Sequence, residues 1–222
     1  MVRKISKSTH QRGEIVESDL RRYTDIPSLL HILKHAQLTL LDPSSWDDKN
    51  DAFYLALYRE KFRLTGLLAL CFTRAPETYH HWRVFAPGPA GICIQFDSNK
   101  IRAAVKKTPG AQIEPVTYMT LPTLRATRLQ NKRLPFVKRF AFAPENEVRV
   151  IWESTSDPQQ PVAVPISLSS IKRITLSPWL HRTLGEEVRS IIRGLDGCDG
   201  LKISLSKLIS NDEWMARGRD AR

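Results

Sequence analysis

The residues best suited to chemistry in this chain are two glutamates, Glu145 and Glu147, which stand two positions apart. Alternate residues of a strand point to the same side, so both carboxylates and Arg149 would share one face, while Val148 and Val150 would occupy the other. Paired carboxylates can stabilise a developing positive charge or take a proton from a nucleophile. The same pattern also fits an exposed strand face on which the two acids pair with the arginine.

Further polar side chains fall at the ends of predicted strands. Arg22 and Tyr23 close a short strand over residues 20–23, and Thr73 ends the apolar run 67–73. Together with Glu145 and Glu147 they form a set of polar residues at strand ends.

Other combinations of reactive side chains are weaker candidates. His31 and His35 have the i, i+4 spacing of a zinc-binding pair, but no glutamate follows His31. His80 and His81 are adjacent on a predicted helix and point about 100° apart, so they cannot both bind one ion. Cys71 lies within an apolar strand, where a small buried side chain is a simpler interpretation than a thiol nucleophile. We predict no metal site.

Several familiar signals are missing from the sequence. It contains no G-x-x-x-x-G-K-[ST], G-x-G-x-x-G or G-x-S-x-G, the local signals of P-loop, dinucleotide-binding and serine-hydrolase folds. Three cysteines without a C-x-x-C pair argue against a disulfide framework. The longest apolar stretch, residues 66–72, is too short to span a membrane. We therefore expect a cytoplasmic protein that does not contact membranes.

The positive charge of the chain is concentrated in one stretch. Of the net +11 over 222 residues, +8 lies in residues 101–140, where Glu114 is the only acid among nine basic side chains. Such a stretch is typical of a nucleic-acid contact, although a solvated helix face is the plainer interpretation. If the charge serves the chemistry, the stretch should flank the candidate cleft. The candidate nucleic-acid-binding residues are Arg125, Arg128, Lys132 and Arg133.

The elements that must position these residues mix strands and helices without strict alternation. Strands are predicted over residues 20–23, 37–41, 67–73, 91–96, 116–119, 148–152, 162–166, 171–176 and 201–205. Helices are predicted after a cap at Thr24 or Asp25, and over residues 52–62, 76–85, 101–107, 122–138 and 179–193. The pattern favours an α+β fold of mixed, mostly antiparallel sheets flanked by helices.

Local signals complete this picture of the domain. Asp157 and Pro158 predict a hairpin between two of the strands, and Trp46 with Asp47 and Asp48 predicts a capped helix start with an anchoring aromatic ring. In the helix predicted after it, the residues expected on the apolar side are Phe53, Tyr54, Leu57 and Tyr58. We expect a flexible basic arm over residues 1–18, one domain over 19–208 and a tail over 209–222.

The order of several motifs resembles a bacterial family, the domain-of-unknown-function family numbered 2971. The motifs are Arg22-Tyr23, Trp46-Asp47-Asp48, Cys71-Phe72-Thr73, Trp82, Lys138 and Glu145-x-Glu147-x-Arg149, within residues 20–208. This chain has His81 and Phe85 where the family usually has methionine and tyrosine, so a phenol hydroxyl is missing at position 85. The family brings no known activity.

The Glu145-x-Glu147 strand is also similar to the E-x-E strand of mono-ADP-ribosyltransferases. Those enzymes place a basic residue on an early strand, a serine or threonine on a central strand, and the catalytic glutamate last. Arg22, Thr73 and Glu147 stand in that order. The resemblance implies an ADP-ribosyltransferase-like fold, with NAD as the substrate whose nicotinamide–ribose bond is broken.

The resemblance also implies a role for each matching residue. Glu147 would stabilise the oxocarbenium-like transition state, and Glu145 would orient or deprotonate the incoming nucleophile. Thr73 would hold Glu147 through its hydroxyl, and Arg22 would bind the pyrophosphate. The residues expected to stack on nicotinamide are Tyr23, Trp82 or Phe85.

Two functions follow from these observations. The first is an ADP-ribosyltransferase-like enzyme, a toxin or phage-defence effector, that modifies a macromolecular acceptor such as a nucleic acid. The second is a module that binds nucleic acid or regulates another protein, and keeps the fold without the chemistry. The oligomeric state is not indicated by the sequence.

Overall fold

The structure is a computed structural model that describes residues 19–156, 160–219 and 221. The strands are β1 (Leu20–Asp25), β2 (Gln37–Leu40), β3 (Gly66–Thr73), β4 (Gly91–Phe96), β5 (Ala111–Pro115), β6 (Thr117–Met119), β7 (Val137–Arg139), β8 (Glu147–Ser154), β9 (Val162–Pro165), β10 (Ile171–Leu176) and β11 (Ile203–Leu205). The α-helices are α1 (Ile26–His35), α2 (Lys49–Lys61), α3 (Tyr79–Phe85), α4 (Ser98–Lys107), α5 (Leu121–Ala126), α6 (Arg182–Arg193) and α7 (Asp212–Arg219). Short 3-10 helices cover Pro43–Ser45, Asn131–Phe136, Phe140–Glu145 and Leu168–Ser170.

Seven of the strands form one sheet in the order β11-β10-β4-β1-β3-β8-β5. Its neighbouring strands are antiparallel except for β10 and β11, which are parallel. β2 and β9 form a separate antiparallel pair, and β6 and β7 form a parallel one. The predicted α+β class, with a mostly antiparallel sheet flanked by helices, is therefore confirmed.

One face of the large sheet packs into the main hydrophobic core. Leu70 of β3 and Val150 of β8 lie opposite each other on this face, and both are buried. Helix α1 covers part of it because Asp25 caps the helix and apolar residues recur along one side. The buried side chains that cover the face from α1, α4, β2 and β9 include Leu29, Ile101, Leu38 and Val164.

The opposite face of the sheet is covered by two smaller clusters with a gap between them. Leu55 of α2 and Phe136 of the 3-10 helix Asn131–Phe136 pack on one side. Trp82 of α3 packs on the other side, against β1 and β4. In the gap, β3 and β8 present the facing pairs Cys71 with Arg149 and Thr73 with Glu147.

The large sheet opens between β1 and β3. Arg21 and Thr73 form a single pair between these strands, whereas β1 pairs with β4 along its whole length. Farther along β3, Ala69 exchanges two backbone hydrogen bonds with Leu41. Between these two points the Cys71 carbonyl accepts a hydrogen bond of 3.2 Å from the guanidinium of Arg22. The separation of β1 from β3 leaves room for a cavity.

The predicted helix over residues 122–138 is wrong. The chain forms the short helix α5, then the 3-10 helix Asn131–Phe136, and then the strand β7. Pro135 lies inside the 3-10 helix and has no N–H to continue an α-helix. Leu134 and Phe136 are both buried in the cluster with α2. Tertiary packing and one proline therefore replace the predicted helix.

The predicted hairpin between β8 and β9 is also wrong. β8 pairs with β3 and β5, whereas β9 pairs with β2. Residues 157–159, which include the expected turn, lie outside the described residues, as does the expected arm over residues 1–18. Helix α7 lies within the segment expected to be a tail. The domain boundaries stay predictions.

The expected apolar side of α2 is buried in part: Tyr58 is buried, and Tyr54 and Leu57 pack against the same cluster. Asp48 caps the helix through the backbone N–H groups of Asn50 and Asp51, which confirms the predicted helix start. Phe53 is the exception, because it is 60% exposed, and the carboxylate of Asp51 is buried although the sequence does not predict it. The helix therefore points an acid towards β8, where a cation must compensate it.

Candidate functional site

A cavity of about 510 Å³ lies between α2 and α3, where β1 and β3 separate. Six of the residues expected from the sequence line it: Arg22, Tyr23, Thr73, Phe85, Glu145 and Glu147. They come from β1, β3, α3, the 3-10 helix before β8, and the start of β8. The fold thus gathers at one cavity side chains that are far apart in the sequence.

Arg149 forms the base of the site and is completely buried. Its guanidinium donates to both oxygens of Asp51, at 2.8 and 2.6 Å, and to both oxygens of Glu147, at 2.7 and 3.0 Å. A fifth hydrogen bond of 2.8 Å goes to the Pro135 carbonyl, and the guanidinium lies 5.0 Å from the ring centre of Trp46. All five N–H groups of the side chain are therefore used.

Lys138 of β7 is the second cation of the site. Its ammonium lies 2.6 Å from Glu145 Oε2, 3.5 Å from Glu147 Oε2 and 3.8 Å from Asp51 Oδ2. It also lies 4.8 Å from the ring centre of Phe142, which lines the cavity. Three carboxylates and two cations thus form one connected cluster with a formal charge of −1.

The surroundings shift the pKa values of these groups in different directions. Although burial alone would raise it, the Arg149 guanidinium holds the pKa of Glu147 below its usual range. Burial raises the pKa of Asp51 and of Glu145 against the opposing effect of the nearby cations. Burial alone would lower the pKa of Lys138, but the two glutamates raise it. Glu147 is therefore the carboxylate of this cluster that stays ionised to the lowest pH.

Glu145 does not belong to the strand, contrary to our expectation. It ends the 3-10 helix Phe140–Glu145, and Asn146 then adopts a left-handed conformation with φ of 43°. This turn, rather than strand alternation, brings the carboxylate beside Glu147. The alternative of an exposed, salt-bridged strand face is wrong because these residues are buried.

Thr73 holds the site in a different way from the one expected. Its hydroxyl donates a hydrogen bond of 2.5 Å to the carbonyl of Glu145 and does not hold the carboxylate of Glu147. Arg149 instead binds both oxygens of that carboxylate. The backbone N–H of Glu147 donates to the hydroxyl of Tyr118 at 2.8 Å. Thr73 therefore fixes the turn that carries Glu145.

Two arginines of β1 line the other side of the cavity. Arg22 donates to the Cys71 carbonyl, and Arg21 donates to the Ala75 carbonyl at 3.0 Å. Neither guanidinium forms an ion pair with a carboxylate of residues 19–156, 160–219 or 221. Their positive charges are therefore available to an anionic group in the cavity.

The aromatic residues expected to stack on a ligand differ in position. Tyr23 and Phe85 line the cavity, and Phe85 is exposed at its edge. Trp82 is completely buried; its indole N–H donates to Glu77 at 2.8 Å, and its ring contacts that of Tyr23 edge-on. The role expected for Trp82 is thus corrected, because its ring supports Tyr23 and does not line the cavity.

The basic stretch meets the cavity only at its C-terminal end. Of residues 101–140, Lys138 alone lines the cavity. Arg133 pairs with Glu114, and together with Arg128 it borders a separate depression of about 300 Å³. Arg125 and Lys132 are exposed. The four predicted nucleic-acid-binding residues therefore lie outside the cavity wall.

The other candidate chemistries receive little support from the structure. Among the described residues, no three or more side chains of His, Cys, Asp and Glu are grouped so that they could hold a metal ion. His31 contacts Thr39 and Gln37 at the surface. Cys71 lines the cavity, and burial raises the pKa of its thiol, an effect that Glu147 strengthens. The thiol is therefore a poor nucleophile there.

Two members of the carboxylate cluster are not evident as site residues from the sequence. Asp51 stands in the run of polar residues that starts α2, and its burial follows from how the helix packs on β8. Lys138 belongs to a motif and to a predicted helix, neither of which assigns it a role. A signal for Asp51 is the presence of Arg149 on the same strand face as Glu147, since a buried arginine requires several acceptors.

Comparisons with known proteins give a distant structural likeness. No family model matches the chain, and no curated protein matches it. Three solved structures of Thermus sp. 2.9 DarT, in complex with ADP-ribosylated ssDNA, carba-NAD⁺ and NAD⁺, are each 14% identical with a TM-score of 0.44. The alignments cover 86% of this chain, and 94% of the first or 96% of the other two. Membership of family 2971 stays a prediction.

The helices of the described residues fall short of a membrane span. None of them is long and apolar enough to cross a bilayer. The most exposed of their large apolar side chains is Trp214 of α7, at 82%.

Proposed function

We propose that the cavity binds NAD and that the protein breaks the nicotinamide–ribose bond, transferring ADP-ribose to an acceptor. The observation that carries this proposal is the meeting of Arg22, Glu145 and Glu147 around one cavity of about 510 Å³. This volume lies within the range of small-molecule sites. Tyr23 and Phe85 add aromatic surface beside the charged groups.

The charge distribution of the cavity suits a ligand with both signs of charge. On the β8 side the cluster of three carboxylates and two cations carries one uncompensated negative charge. On the β1 side Arg21 and Arg22 have no carboxylate partner among the described residues. NAD carries a cationic nicotinamide ring and an anionic pyrophosphate, so each group finds the opposite charge.

Glu147 is suited to stabilise the transition state. When the C1′–N bond breaks, its electron pair goes to the nicotinamide nitrogen, which leaves neutral, and positive charge develops on the ribose. Arg149 keeps Glu147 ionised and fixed, so no reorganisation is needed as this charge forms. A carboxylate about 4 Å away contributes about 4 kcal/mol at an effective dielectric constant of about 20, or about 10³ in rate.

Glu145 is suited to activate the acceptor. The acceptor attacks C1′ and loses a proton, which the Glu145 carboxylate accepts. Burial raises the pKa of this carboxyl and so makes the carboxylate a stronger base than an exposed glutamate. Thr73 fixes the backbone carbonyl of Glu145, and the Glu145 side chain lines the cavity. The acceptor is a macromolecule in this proposal, and a nucleic acid would have its phosphates bound outside the cavity wall, where Arg125, Arg128 and Lys132 are exposed.

The experiment that tests the proposal is release of nicotinamide from NAD, measured by chromatography. Glu147→Gln should release nicotinamide about 10³-fold more slowly than the wild type. Glu153→Gln is a matched control on the same strand, since Glu153 bonds to Tyr58 away from the cavity and should keep wild-type release. Circular dichroism verifies that both variants are folded. Equal release by the wild type and Glu147→Gln would overturn the proposal.

A second candidate function is nucleic-acid binding without catalysis. The observation in its favour is that Arg125, Arg128 and Lys132 are exposed and form no ion pair with the described residues. Titrations of single-stranded and duplex DNA and RNA across a salt series, beside calorimetry with NAD, separate the two functions. Salt-sensitive binding of nucleic acid without any binding of NAD would favour the module.

A further inference from the structure

Lys138 holds a position in the carboxylate cluster that a cationic ligand group would also seek. Its ammonium faces Glu145, Glu147 and Asp51, at 2.6, 3.5 and 3.8 Å. We propose that Lys138 determines ligand specificity as an internal cation, which competes with a cationic ligand for the carboxylates and is displaced by it. The inference rests on the proposed function, because it takes the cationic pyridinium ring of NAD as the ligand class.

The two cations of the cluster differ in how firmly they are held. Arg149 is completely buried and uses all five N–H groups. Lys138 lines the cavity and makes one contact shorter than 3 Å, to Glu145. A lysine ammonium is a point charge on a flexible stem, whereas a saturated guanidinium is fixed in its plane. Lys138 is therefore the cation that can move when a ligand enters.

The formal charges of the cluster predict whether loss of Lys138 strengthens or weakens the binding of a cationic ligand. With both cations in place, the three carboxylates keep one formal negative charge; without Lys138 they keep two. Two cations cannot share the same carboxylate oxygens at close range without repulsion. Loss of Lys138 should therefore strengthen the binding of a cation. If the lysine served only to hold the glutamates in position, its loss would weaken binding.

The test compares a cationic ligand with a neutral one of similar shape. The probes are 1-methylnicotinamide, which is a permanent cation, and nicotinamide, titrated by calorimetry into the wild type, Lys138→Met and Lys138→Arg. Lys138→Met should bind the cation at least about tenfold more tightly than the wild type, with little change for nicotinamide. Lys138→Arg keeps the charge and should bind the cation like the wild type.

Two results would overturn the inference about Lys138. A folded Lys138→Met variant that binds 1-methylnicotinamide no better than the wild type overturns the inference, as does a failure of both proteins to bind it. Nicotinamide release from NAD is measured separately. Release by the wild type, together with unchanged cation binding in the variant, refutes the inference alone. Charge-dependent binding without release refutes the proposed function alone.

A measurement on the wild type keeps the inference testable if Lys138→Met does not fold. In protein with ¹⁵N-labelled lysine, Lys138→Arg identifies the Lys138 Nζ signal by its disappearance. Adding 1-methylnicotinamide should move this signal towards the position of solvent-exposed lysines, and adding nicotinamide should not. An Nζ signal that stays unchanged while 1-methylnicotinamide binds overturns the displacement.

Discussion

Replacing Arg149 by methionine removes the centre of the buried charge cluster. Methionine keeps part of the apolar volume and has none of the five N–H donors that Arg149 uses. Asp51 and Glu147 would each lose hydrogen bonds to both oxygens, and the nearest remaining cation would be Lys138, at 3.8 and 3.5 Å. Breaking a buried pair by removing one partner costs about 3–5 kcal/mol. That loss is a large part of a typical total stability of about 5–15 kcal/mol.

Urea denaturation at neutral pH measures this loss. The matched control is Arg139→Met, which removes an exposed arginine of β7 and should change the free energy of unfolding by about 0.5 kcal/mol or less. An unchanged dependence on urea concentration in both variants verifies that the comparison is between similar folded and unfolded states. The difference between the two variants is then the cost of leaving Asp51 and Glu147 buried without Arg149.

The loss should depend on pH with a definite sign. In the wild type, Arg149 holds the pKa of Glu147 below its usual range, so this carboxylate stabilises the fold above its unfolded pKa, and that stability is lost as pH falls through its folded pKa. Without Arg149, burial would instead raise the pKa, and the carboxyl would take up a proton more readily. The difference in the free energy of unfolding between the wild type and Arg149→Met should therefore become smaller in acid. A loss below about 1 kcal/mol, as for a surface pair, or a difference that becomes larger in acid, would refute the reasoning.

Two further predictions concern the surface and the thiol. Replacing Arg125, Arg128 and Lys132 by alanine should lower the slope of log affinity for duplex DNA against log salt concentration by about 0.9 for each phosphate that these side chains neutralise. The control Lys61→Ala on α2 should keep the wild-type slope. An unchanged slope in the triple variant would show that nucleic acid binds elsewhere. Cys71 should react slowly with iodoacetamide at neutral pH, because burial and Glu147 raise the pKa of its thiol. Mass spectrometry should find rapid modification of Cys71 only in urea, and rapid modification of the folded protein would contradict the prediction.

Much of the fold could be predicted from local patterns. The capped start of α1, the apolar run of β3 and the alternation in β4 each specify an element within a few residues of its observed bounds. The failures have tertiary causes. The basic stretch has helical composition, but Pro135 and the burial of Phe136 against α2 divide it into α5, a 3-10 helix and β7.

The candidate site could be predicted only in part. The resemblance to mono-ADP-ribosyltransferases predicts that Arg22, Thr73 and Glu147 act together, and the structure brings them to one cavity. The burial of Asp51 could not be predicted, because it depends on which side of α2 faces β8. Likewise, the position of Glu145 depends on the left-handed Asn146 and on the hydrogen bond from Thr73. Such long-range contacts leave no periodic signal in the sequence.

The most direct measurement of the central claim is a crystal structure of Glu147→Gln soaked with NAD. The substitution keeps the shape of the side chain and slows cleavage, so the intact dinucleotide should be visible. NAD should lie in the cavity between α2 and α3, with ribose C1′ nearest residue 147 and the pyrophosphate nearest Arg22. Density for NAD on another surface, or an empty cavity at saturating NAD, would contradict this prediction.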